Sequence, residues 1–145
     1  MMLRRVFIVL CLAYIVKSCI PYTVIDPQLS KYDTDYLNIV KQYCGSTKYF
    51  HPLQKTIYFQ EMENNHIAYC ARNRFTKLNI VVNSKYWKDS SEDMKYSTLV
   101  HELTHCYFRV GHSENKHHFM YSFENFLTRE EVDTQLIEFL KEQCK

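Results

Sequence analysis

With 145 residues, 46% of them hydrophobic, the chain holds enough apolar material for one core and is too short to suggest several domains. Only 2 glycines and 3 prolines are present, which argues against a disordered or low-complexity chain. The formal charge of +2 is spread without a basic block or an aromatic-basic stripe, so nucleic acid is not an expected partner.

The first nineteen residues, MMLRRVFIVLCLAYIVKSC, read as an export signal. Arg4 and Arg5 open it, and Val6 to Val16 run apolar. That run is shorter than the about 20 residues of a membrane-spanning helix; a short anchor that is never cleaved is the alternative. Val16 and Ser18 hold the small-residue positions before a cut after Ser18, giving residues 1–18 as signal peptide and 19–145 as one mature domain. The stretch also resembles a bacterial lipoprotein signal, in which Cys19 takes a lipid and attaches the protein to a membrane; Lys17 departs from that pattern. Losing Arg4, Arg5 and Lys17 takes the formal charge from +2 to about −1. The expected location is secreted or periplasmic, with lipid anchoring through Cys19 as a variant.

Residues 33–44, DTDYLNIVKQYC, predict a helix. Tyr36, Leu37, Val40 and Tyr43 share a face, Asp33 or Asp35 can cap the start, and Gly45 can stop it. Residues 55–60, 66–71 and 78–83 predict strands, with turn residues between the first two. Ile80, Val81 and Val82 in succession imply burial on both faces. Tyr86 and Trp87 read as packing residues. A long helix follows, with Ser90 and Asp93 as its expected capping box. Leu99, Leu103, Cys106 and Val110 form its apolar stripe, while Met94, Thr98, His101 and His105 face a cleft. A closing helix opens on Thr128 and Glu131 and buries Val132, Leu136, Phe139 and Leu140. The expected fold is α/β of the α+β kind. A short twisted sheet packs on an N-terminal helix and the long helix that carries His101 and His105, with a C-terminal helix closing the domain.

The chemistry is concentrated in HELTHCYFRVGH, residues 101–112. His101 and His105 stand one helical turn apart and can reach one zinc ion, with Glu102 beside it as general base. On an unbroken helix His112 lies roughly 10 Å further along and is a bystander. Gly111 argues for a helix stop near Phe108 or Arg109, which brings His112 back as third ligand. His117 and His118 read as exposed loop residues, with replacement of His112 as the sharper alternative. Glu124, Glu130 and Glu131 are a further source of a third ligand, although Glu131 already serves the cap. Tyr121 either donates its hydroxyl to a developing oxyanion or simply packs.

Six cysteines are present. Cleavage removes Cys11, and a lipid on Cys19 leaves Cys44, Cys70, Cys106 and Cys144, enough for two disulfides in an oxidising compartment. Spacing does not determine the pairing; Cys70–Cys106 and Cys44–Cys144 is the arrangement expected. Cys44 beside Gly45 has a second reading, as a cysteine that plugs a latent metallopeptidase, but a disulfide is the simpler use.

The stretch HELTHCYFRVGHSENKHHFMYS resembles the metzincin zinc peptidases, whose pattern is H-E-x-x-H-x-x-G-x-x-H with a methionine turn downstream. The resemblance implies His101, His105 and His112 as zinc ligands, Glu102 as general base and Met120 as the Met-turn. Two positions depart from it: Phe108 stands where glycine is usual, and the third histidine comes one residue late. A divergent set of small bacterial metallopeptidases shows this longer spacing with a cysteine after the second histidine. AYC at 68–70, LNIVVNSKYW at 78–87 and HELTHC at 101–106 are similar to that set. The resemblance covers about residues 66–121. It implies a metzincin-like domain hydrolysing a peptide or protein substrate, with the sheet above the active-site helix. The rival expectation is an inactive, zinc-stabilised binding lipoprotein of the same fold.

Overall fold

The computed structural model describes residues 22–46, 48–63, 66–73, 76–122 and 127–145. The expected signal peptide, Cys19 and Glu124 lie outside them. In chain order the elements are β1 (Tyr22–Ile25), α1 (Pro27–Cys44), β2 (Gln54–Gln60), β3 (Ala68–Arg72), β4 (Lys77–Asn83), α2 (Ser84–Asp89), α3 (Glu92–Phe108) and α4 (Arg129–Gln143). The domain is mixed α/β: a four-stranded sheet and four helices among the described residues.

The sheet order is β1-β2-β4-β3, with β1, β2 and β4 parallel and β3 antiparallel at one edge. Ile25, Ile57, Ile80 and Cys70 stand side by side across it. Side chains alternate across a strand, so this row faces one way, and Ile57, Leu78, Ile80 and Val82 are fully buried. On the other face Val24, Tyr58 and Tyr69 are exposed, while Val81 is buried. Both faces of β4 thus carry buried residues, as its apolar run predicts. Leu29, Tyr36 and Val40 of α1, Leu99 and Leu103 of α3, and Val132, Leu136 and Leu140 of α4 complete the core.

Three predicted helix details are corrected. First, α1 starts at Pro27 and not near Asp33. Asp26 caps it by accepting from the Gln28 N–H at 2.9 Å, and proline suits the first turn because it lacks an N–H. Asp33 lies buried in mid-helix, 2.7 Å from the Lys55 ammonium, and Asp35 accepts from Arg129. Second, α3 is capped by Ser91, whose hydroxyl accepts from Met94 N–H. The Ser90 hydroxyl instead donates to the Tyr86 carbonyl, and Asp93 accepts from the Arg129 N–H that begins α4. Third, α3 ends at Phe108, so Val110 lies beyond it and does not extend its stripe. The closing helix opens as expected, with Thr128 and Glu131 forming a reciprocal capping box.

Both expected cysteine pairs are bonded. Cys44–Cys144 joins the ends of α1 and α4, and Cys70–Cys106 ties the edge strand β3 to α3. Such bonds are typical of an oxidising environment. Among the described residues no helix is long and apolar enough to cross a membrane.

Candidate metal centre

The face of α3 that turns from the core looks onto edge strand β3. Between them lies a cavity of about 460 Å³, lined by Met94, Thr98, His101, Glu102, His105, His112 and Tyr121 among others. One ligand atom from each of His101, His105 and His112 lies within 4.8 Å of the others. The three rings meet with centroids 4.5, 4.7 and 5.1 Å apart.

His112 reaches this cluster because α3 reverses at its end. The residue that reverses it is Arg109, with φ 60 and ψ 32, and its N–H closes on the His105 carbonyl at 3.1 Å. Gly111, the expected site of the reversal, does not take positive φ. The helix stop is as anticipated and its residue is not. An arginine accepts this less favourable conformation where the surrounding contacts hold it.

The histidine tautomers follow from their partners. His101 Nδ1 lies 2.8 Å from the Phe119 carbonyl, and His105 Nδ1 lies 2.7 Å from the Val110 carbonyl. A carbonyl oxygen can only accept, so both Nδ1 atoms carry hydrogen and both Nε2 atoms present lone pairs. Those two Nε2 atoms face each other at 2.9 Å. Two lone pairs at that distance repel unless a cation takes both, so the donor set fits a metal. The carbonyl partners are the outer contacts that orient metal-binding imidazoles. Burial chiefly holds His101 down to about 4, with the Phe119 carbonyl acting in the opposite direction. Burial also lowers His105. Unprotonated imidazole is the form that binds metal.

A scan of protein-family models and searches of curated proteins and of solved structures find no match to this chain.

Glu102 is buried on the cavity wall. Burial pushes its carboxyl up to about 7, partly opposed by the Cys70 N–H it accepts. Met120 is buried in the core and follows Phe119 in a turn, so the segment expected as the Met-turn is the one whose carbonyl holds His101. Tyr121 lines the cavity.

Among the described residues the alternative ligands do not join the cluster. Glu130 and Glu131 are exposed in the first turn of α4, and His117 is exposed. His118 corrects the loop expectation. It is half-buried, and its Nδ1 accepts from Met120 N–H at 3.1 Å. Sequence reasoning missed Val110 and Phe119, which act through backbone carbonyls that no residue type advertises.

Proposed function

We propose that this chain is an exported, zinc-dependent metallopeptidase of metzincin-like design. The observation that carries the reading is the convergence of His101, His105 and His112 in a cavity whose wall also holds the buried carboxylate of Glu102. His101, His105 and His112 would hold the zinc, which when bound would supply Lewis acidity for a peptide carbonyl and for water. Glu102 takes a proton from the attacking water and passes it to the leaving amine. The substrate runs extended beside β3, whose only strand partner among the described residues is β4. Tyr121 offers a hydroxyl toward the oxyanion from the cavity wall.

An inactive zinc-stabilised binding lipoprotein would also use the histidines but has no need of Glu102. The core and two disulfides also support the fold independently of the histidines. Replacing Glu102 with Gln tests the choice. The peptidase reading expects metal to stay bound while cleavage of a peptide library disappears. Equal inertness of parent and variant supports the binding reading. Export with a lipid on Cys19 belongs to the same proposal, and the intact mass of the mature protein tests it.

A further inference from the structure

The turn that supports His101 is itself held from outside. Gln135 lies half-buried on α4. Its Oε1 accepts from the Phe119 N–H at 2.8 Å, and its Nε2 donates to the His117 carbonyl at 2.9 Å. The next peptide group in the chain joins Phe119 to Met120. Its carbonyl accepts from His101 Nδ1 at 2.8 Å, and its N–H donates to His118 Nδ1 at 3.1 Å.

We infer that Gln135 is a positioning residue of the metal centre. By clamping the peptide groups on either side of residue 118, it fixes the Phe119 carbonyl that sets the orientation and tautomer of His101. The inference rests on the metal-site reading above. An uncharged side-chain amide suits the task, because it presents a donor and an acceptor in one plane. The base of the clamp is firm. Val132, Leu136 and Leu140 bury the other face of α4, a capping box secures its start, and Cys144 at its end is bonded to Cys44. An imidazole released from its carbonyl can rotate or exchange tautomers, and the Nε2 lone pair then no longer points steadily at the other two ligands.

The test compares the parent with Gln135→Met, which keeps length and loses both bonds, and Gln135→Glu, which keeps the acceptor for Phe119 N–H. Zinc affinity is measured by competition with a chromophoric chelator, and the cobalt-loaded protein is followed by its visible absorption. The melting temperature of the metal-free proteins is recorded alongside.

Gln135→Met is expected to weaken zinc affinity by about tenfold or more, within the range for loss of an outer partner. The cobalt bands should shift, the metal-free melting temperature should stay near the parent's, and Gln135→Glu should recover part of the affinity. Equal affinity in parent and Gln135→Met overturns the clamp and leaves the metal site standing. So does a Gln135→Glu variant as weak as Gln135→Met. A parent that takes up neither metal overturns the site, and the clamp with it.

Discussion

His105 donates through Nδ1 to the carbonyl oxygen of Val110, 2.7 Å away. The bond exists because Arg109 turns the chain back at the end of α3. The same reversal brings His112 beside His101 and His105. One left-handed residue therefore both orients His105 and delivers His112 to the cluster.

That makes residue 109 more sensitive than residue 111. Arg109→Gly relieves the left-handed conformation and should stabilise the protein or leave it unchanged, within about 1 kcal/mol, because glycine's gain is offset by its unfolded-state freedom. Arg109→Val should cost about 1–3 kcal/mol, since a β-branched residue resists this region, and should weaken metal binding as well. A Cβ on Gly111 meets nothing within 4 Å, so Gly111→Ala should change stability by less than about 1 kcal/mol. Urea titration of the three variants checks the order.

Glu102→Gln should lower peptide hydrolysis by about 10²-fold to 10⁴-fold, the usual worth of a positioned acid-base group. Zinc content should stay at the parent level because Glu102 is not among the clustered ligands. Paired metal analysis and peptide-cleavage assays check it. A fall in activity that merely tracks lost zinc would count against the base role.

The two disulfides should separate stability from site integrity. Cys44–Cys144 spans 100 residues and Cys70–Cys106 spans 36. In the chain-entropy account, removing the first with paired serines should cost about 4–5 kcal/mol and removing the second about 3–4 kcal/mol. Only the second frees β3 from α3, and Cys70 lines the same cavity as Glu102. Hydrogen exchange should therefore rise in β3 in the Cys70→Ser, Cys106→Ser protein beyond what its lost global stability explains.

Much of the centre is legible in the sequence, because a four-residue interval places His101 and His105 together on any helix. His112 needs a tertiary reversal, and glycine was its visible cue. The structure puts the reversal at Arg109, whose side chain carries no such signal. The start of α1 is obscured because Asp33 and Asp35 look like cap residues but lie in mid-helix, Asp33 buried against a distant lysine. Strand β1 is four residues long and largely exposed, and α2 buries only Trp87. Neither offers the periodic burial that sequence patterns detect.

Acid stability has a named contributor at the start of α3. Lys31, foremost, and the Tyr32 hydroxyl hold the Glu92 carboxyl down to about 2, from an ordinary value of 4.5. Above pH 4.5 Glu92 is ionised in both folded and unfolded chains, and its pairing contributes in full. As pH falls from 4.5 toward 2, the unfolded chain binds the proton first and that contribution is lost. The side chain is largely exposed, so the effect is small and screened by salt. Glu92→Gln should flatten this limb of the stability-pH curve, most visibly at low ionic strength. Denaturant midpoints at stepped pH check it.

The most direct test of the account is a cobalt titration of metal-free protein, with and without His112→Ala. One equivalent should bind the parent and develop the intense visible bands of a low-coordinate ion. Affinity should fall in the variant by more than about 100-fold, beyond the loss typical of an outer contact. A parent that binds no cobalt, or a variant that binds it as tightly as the parent, would contradict the three-histidine centre.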